Sequence, residues 1–321
     1  MKQLIIDGCN PSNWDRAVAY DSLIAGGVGA VNATVAVWET FEESVDEVGK
    51  WIRRFKSDPR LLQIKSASDI DRARSENKLG IILGWQNISP IENDFERLEV
   101  FQHLGIRVVQ LAYNLRNLVA NGCYERHDEG LSTFGVKTVK KLNDLGMLID
   151  LSHVGDQSCR QTIELSEAPV AITHANLREF ADQPRNKPAA IVKELAARGG
   201  VIGANAFPRF LPAGFNSTID DFLDAIDSLV QTIGPDHVGI ASDFCEGQDM
   251  EYWRYLRRLH GKIPGEEPRV PRADPACKGL DTAADMPRIT EGLSTRGYSD
   301  TDIDKVMGGN WLRLYREVWG S

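Results

Sequence analysis

Eight short, continuous apolar runs separated by amphipathic stretches constrain this chain more than any other feature of its sequence. They are Leu4–Ile6, Gly29–Val37, Gly80–Gly84, Val108–Leu111, Met147–Leu151, Pro169–Thr173, Gly200–Gly203 and His237–Ala241. Such runs, rich in β-branched residues and without a two-residue polar alternation, suit strands buried on both faces. The intervening segments carry helical spacing. Phe95, Leu98, Val100, Phe101 and Leu104 repeat at three and four within Glu92–Leu104, and Gly105 supplies a stop. Phe134–Leu145, Ile191–Ala197 and Ile219–Ile233 repeat the pattern and end at or near glycine, and a further helix is expected from about Asn13.

Strands alternating with helices through short connections indicate a parallel sheet with crossovers. Eight such units predict an α/β fold closed as a (β/α)8 TIM-like barrel, one domain over residues 1–321. Two segments break the rhythm, 114–132 and 245–284, and both follow strand ends. In a barrel they lie over the C-terminal face, where long loops act as lids. A last helix from Gly308-Gly309-Asn310-Trp311 to about Trp319 is expected to serve packing.

The net charge of −9 argues against nucleic acid or an anionic membrane surface as partner. Five cysteines, Cys9, Cys123, Cys159, Cys245 and Cys277, form no CxxC pair, so free thiols in a reducing compartment are expected. The opening apolar run stops at Asp7, too short for a signal peptide, and no stretch has the length of a membrane span. The expected location is the cytoplasm.

Three strand ends carry chemistry-bearing side chains: His153 after Ile149–Ser152, His174 after Ala171–Thr173, and Asp243 after Gly239–Ser242. Two imidazoles and a carboxylate at one barrel mouth suit zinc or a similar divalent ion, with Asp243 as catalytic base toward a bound water. A lone histidine at a strand end is more often structural, and an aspartate there is often a helix cap; the pairing of His153 with His174 favours the metal. His103, His237 and His260 read as structural, and His127 lies in a polar loop. Asp7 ends the first strand and is open to a loop contact or a ligand. Cys9 and Cys245 also sit just past strands; each is either a small buried hydrophobe or a thiolate ligand, and neither has the flanking motif of a nucleophile. Arg185 and Asn186 follow the strand bearing His174. Arg185 there is either a solvated charge or a fork for a substrate carboxylate.

The runs Asp150-Leu151-Ser152-His153, Thr173-His174-Ala175-Asn176, Arg185-Asn186 and Ser242-Asp243-Phe244 together resemble the membrane (renal) dipeptidase family of the amidohydrolase superfamily. Leu104–Leu111, Gly130–Gly135 and Met307–Arg313 resemble it as well, so the likeness covers nearly the whole chain in order. It implies a metal-dependent (β/α) barrel that hydrolyses dipeptides and related small amides. It further implies that His153 and His174 bind one of two zinc ions, that Asp243 handles the proton of the attacking water, and that Arg185, with Asn186 beside it, meets the substrate's carboxylate.

The family's first strand ends in His-x-Asp, whereas here Cys9 and Pro11 occupy those places. Its bridging glutamate is Gln86, and Tyr113 stands where a further histidine is usual, placing Tyr113 among the substrate contacts. Two divalent cations a few ångströms apart repel strongly and need anionic bridges. Losing one carboxylate at Gln86 and another at Pro11 leaves at most one tightly bound ion, at His153 and His174 with Asp243 and, as further candidates, Cys9 or Gln86; a metal-free protein is the other outcome. The expected function is a dipeptidase-like metal-dependent hydrolase acting on a small substrate with a carboxylate. The rivals are a metal-free lyase or isomerase using the same pocket and a non-catalytic barrel binding a small ligand. A homodimer is an open expectation.

Overall fold

The computed structural model describes residues 3–258 and 270–320. Its strands are β1 (Ile6–Asn10), β2 (Ala30–Ala36), β3 (Leu61–Gln63), β4 (Leu79–Trp85), β5 (Ile106–Gln110), β6 (Leu148–Asp150), β7 (Ala171–Ile172), β8 (Val201–Asn205) and β9 (Val238–Ala241). All pair in parallel, and β2 meets both β1 and β4, which closes an eight-stranded barrel. The three-residue β3 lies outside that ring, beside the first half of β4. The eight apolar runs correspond to the eight barrel strands; β3 was not among them because three residues carry no periodicity.

Helices between strands cover the barrel, so alternate strand residues face two different cores. Ile81, Val109, Ile149, Ile172 and Ile202 pack outward with the helices. Ile82, Val108, Leu148, Ala171 and Val201 pack inward with Trp311, Leu314 and Tyr315. This double burial is why the strands read as continuous apolar runs. The C-terminal helix Asn310–Trp319 meets β1, β6, β8 and β9 at once and plugs one end of the barrel. The Trp311 Nε1 donates to Ile240 O at 3.1 Å. Glycine at 239 makes room for that indole, since a Cβ there would lie 2.4 Å from Nε1. The expected packing role of the last helix therefore has a definite form.

Two expected helices start later than their spacing suggested. The segment after Asn13 becomes helical only at Ala17, and the Glu92–Leu104 pattern forms a helix only over Arg97–Leu104. Glu92 has φ of +53°, a left-handed conformation that interrupts the run behind it. The 245–284 segment is not all loop either: Met250–Arg257 is a helix whose first turn is capped by the Asp249 side chain, bonded to the backbone N–H groups of Glu251 and Tyr252. Its polar composition hid it. His260 lies outside the described residues.

Candidate active site at the open end of the barrel

Two buried carboxylates tie the strand ends of the open end together. Asp7 in β1 accepts from Ser242 N at 2.7 Å, Ser242 Oγ at 2.5 Å and Asn10 Nδ2 at 3.1 Å. Asp150 in β6 accepts from Ser152 Oγ at 2.5 Å, Thr173 N at 2.9 Å and Thr173 Oγ1 at 2.7 Å. Asp7 therefore bonds the turn after β9, and Asp150 bonds the turn after β7. Burial lifts both above the usual carboxylate range, Asp7 to about 6, against the pull of these donors. Asp7 is spent on holding Ser242, the residue next to Asp243.

The β1 register shifts between Asp7 and Asn10 against β2, and this bulge turns Cys9 toward the interior. There Cys9 Sγ accepts from Gln86 Nε2 at 3.2 Å, and the same amide nitrogen donates to Thr34 Oγ1 at 2.9 Å. His174 lies fully buried after β7. Thr173 Oγ1 donates to Asp150 and meets His174 Nδ1 at 2.7 Å, so with Asp150 ionised Nδ1 carries the proton and Nε2 presents its lone pair. The Nδ1 of His153 meets Asn114 Oδ1 at 2.7 Å, and its Nε2 lies 3.1 Å from that of His174. An amide oxygen only accepts, so His153 Nδ1 is the donor, and in the neutral ring Nε2 then presents a lone pair. Burial, reinforced by Arg185 and Lys187, keeps His174 well below the ordinary histidine range and hence neutral.

Asp243 adopts φ of +52°, and no helix begins at it, so it is not a cap. Its Oδ2 accepts from Asn205 Nδ2 at 3.2 Å, and its backbone N–H donates to Cys9 O at 3.0 Å. Burial raises it to about 6, with Arg185 and Asn205 pulling the other way. Cys9, His174 and Asp243 are the one group of three or more potential ligands among the described residues whose ligand atoms all lie within 4.8 Å of one another. His153 stands beside that group, on the His174 side.

A cavity of about 390 Å³ opens above these residues. It is lined by Gln86, Tyr113, Asn114, His153 and Asp243 on the barrel side and by Phe207, Phe210, Tyr252, Trp253 and Leu256 on the other. The ring of Tyr113 stacks on His153 with centroids 4.1 Å apart. Arg185 and Asn186 do not line this cavity. Arg185 is fully buried, its Nη1 donating to Ser152 O at 2.6 Å and its Nη2 to His174 O at 2.7 Å. Asn186 donates to Ala181 O at 2.8 Å and Phe210 O at 3.0 Å. Both are used in holding the loops that carry His153, His174 and Phe210.

The cation that does reach the cavity is Arg209, exposed and without a hydrogen bond or ion pair among the described residues; Arg257 lines it as well. Neither was marked by any sequence signal. Asn205 could have been found, since it ends a strand as His174 and Asp243 follow theirs. Cys245 lines the cavity; burial and the nearby Asp243 hold its thiol well above its ordinary range, as burial and Asp243, Asp150 and Asp7 hold that of Cys9, which suits a nucleophile at neither position. His237 bonds Gly200 O and His103 bonds Glu99 O through Nδ1, as structural histidines do.

A model of membrane dipeptidase, peptidase family M19, matches residues 12–258. The chain belongs to the membrane dipeptidase family. Within that family it is 28% identical over 293 residues to an uncharacterized dipeptidase of Schizosaccharomyces pombe, covering 89% of this chain and 64% of that protein. It is 28% identical over 262 residues to Dipeptidase 3 of Mus musculus, covering 80% of this chain and 48% of that protein. The chain thus spans about half to two-thirds of the length of these relatives. A solved amidohydrolase from Pseudomonas aeruginosa superposes with a TM-score of 0.92 at 34% identity, over 99% of this chain and 97% of that one.

Membership of the membrane dipeptidase family implies use of a divalent metal. The donor set suits one ion: an imidazole and a carboxylate converge with a thiol. Pro11 offers no ligand atom, and Gln86 turns an amide nitrogen toward Cys9 and Thr34 where a bridging carboxylate would be needed.

Proposed function

We propose that the chain hydrolyses the amide bond of a small dipeptide-like or N-substituted amino acid, with Asp243 as the base that receives the proton of the attacking water. One divalent ion, zinc by donor type, would be held at His174 and Asp243 and would supply Lewis-acid polarisation of the scissile carbonyl. The observation that carries this reading is the convergence of Asp243 with His174, whose Nε2 lies 3.1 Å from that of His153, beneath a cavity that Asp243 and His153 line. Asp243, raised to about 6, is ionised near neutrality yet basic enough to take a proton. The Nε2 of His153, held in one tautomer by Asn114, is oriented to accept a hydrogen bond or proton from the same side.

Substrate size follows from the walls. A cavity of about 390 Å³ lies in the range of small-molecule sites. Phe207, Phe210, Tyr252 and Trp253 offer apolar faces to a side chain or acyl group. Arg209 would meet a carboxylate, since Arg185 is enclosed and its two terminal nitrogens donate to backbone carbonyls. The five free cysteines support a reducing compartment, and no helix among the described residues is long and apolar enough to cross a membrane.

The test is turnover of a panel of dipeptides and N-acyl amino acids by the wild type and Asp243→Asn, with and without chelator. The expected result is metal-dependent hydrolysis that Asp243→Asn lowers by about 10²–10⁴-fold. Hydrolysis indifferent to Asp243→Asn sinks the assignment of the base. Conversion that survives chelator without hydrolysis favours a metal-free lyase or isomerase, and binding without turnover a ligand-binding barrel.

A further inference from the structure

We propose that the barrel binds a single ion through a sulfur-containing ligand set, Cys9, His174 and Asp243, in place of a carboxylate-bridged pair of ions. The proposal rests on the metal-dependent reading above and specifies its first coordination shell.

Three features of the local geometry support it. The three ligand atoms come from β1 and from the turns after β7 and β9, and lie within 4.8 Å of one another. Together they would offer one ion a thiolate, an imidazole and a carboxylate. Each ligand is also oriented by a further partner, as metal ligands are. Cys9 Sγ accepts the Gln86 amide at 3.2 Å, an arrangement that favours sulfur as an electron-rich acceptor. His174 Nδ1 is fixed by Thr173 and, through it, by Asp150, which leaves Nε2 for the ion. Asp243 Oδ2 is held by Asn205, which leaves Oδ1.

The third feature is the contact between imidazoles. The Nε2 atoms of His153 and His174 face each other at 3.1 Å while Asn114 and Thr173 engage the opposite ring nitrogens. With both rings neutral, two lone pairs at that separation repel, and a cation beside the two nitrogens would turn the repulsion into attraction.

Binding exchanges a proton for a metal–sulfur bond: the Cys9 S–H bond breaks, the sulfur keeps the electron pair and donates it to the ion, and the proton leaves to buffer. A thiolate in the shell selects borderline and soft ions such as zinc, cobalt or cadmium over magnesium or manganese.

Cobalt reports the sulfur directly. The full chain is purified without chelator and its metal counted by mass spectrometry, then stripped and reloaded with Co²⁺ and scanned in the near ultraviolet. The expected result is one equivalent per chain and an intense sulfur-to-cobalt charge-transfer band. Cys9→Ser loses the band and binds cobalt at least tenfold more weakly, with unchanged circular dichroism. Cys245→Ser, at the same cavity, keeps the band. Cys9→His, should the serine variant fold poorly, keeps one ion and loses the band. Two equivalents, one equivalent without the band, or a band that survives Cys9→Ser overturns the proposal, as does failure to bind cobalt. Metal-dependent hydrolysis without the band removes this inference alone; a Cys9-dependent band without hydrolysis removes the hydrolase reading alone.

Discussion

Arg185 and Arg209 can be separated by one pair of alanine substitutions. Arg185→Ala removes a fully buried guanidinium and strands two buried carbonyls, Ser152 O and His174 O. Each unsatisfied group costs about 1–3 kcal/mol, so about 2–6 kcal/mol of stability is lost before any cavity is counted. At about 2.1 cal/mol/K per residue, a chain of 321 residues has an unfolding entropy near 0.7 kcal/mol/K. The expected fall in Tm is therefore about 3–9 °C. Arg209→Ala removes an exposed side chain without hydrogen bonds among the described residues, so its Tm shifts by less than about 1 °C. If Arg209 meets the substrate's carboxylate through a charge-assisted bond of about 1.5–3 kcal/mol, kcat/KM falls about 10- to 150-fold, mostly in KM. Differential scanning calorimetry and steady-state kinetics on both variants decide the matter. A stable Arg185→Ala with raised KM, beside a kinetically silent Arg209→Ala, would refute the reasoning and return the carboxylate to Arg185.

Two further outcomes follow from the packing and the buried charges. Gly239→Ala drives a Cβ to 2.4 Å from Trp311 Nε1, so the plug must shift; a loss of about 1–3 kcal/mol is expected in urea unfolding, and an unchanged midpoint would show that the indole has room. Asp7, raised by burial from 3.8 to about 6, binds a proton more tightly folded than unfolded, so its contribution is full below the unfolded value and is lost as pH rises through about 6. Two units at 1.36 kcal/mol each put that loss near 3 kcal/mol, and Asp7→Asn should lack it. Urea midpoints of both proteins from pH 4 to 7.5 check the sign, and parallel curves would count against it.

Cys9 and Gln86 show how far strand-end chemistry could be carried from sequence alone. Their departure from the family's ligands already argued for one ion, because charge counting needs no coordinates. That Gln86 donates to Cys9, and that a β-bulge aims Cys9 inward, required the folded backbone.

The sequence by itself determined the barrel, its eight strands and which strand ends carry His153, His174 and Asp243. Strands buried on both faces must be continuous apolar runs, and that signal is local. The tertiary structure alone decided that Cys9 joins His174 and Asp243, that Arg185 is enclosed while Arg209 reaches the cavity, and that Met250–Arg257 forms a wall over it. These are relations between residues far apart in the chain. Barrel closure and desolvation set them, and neither leaves a periodic trace in the sequence.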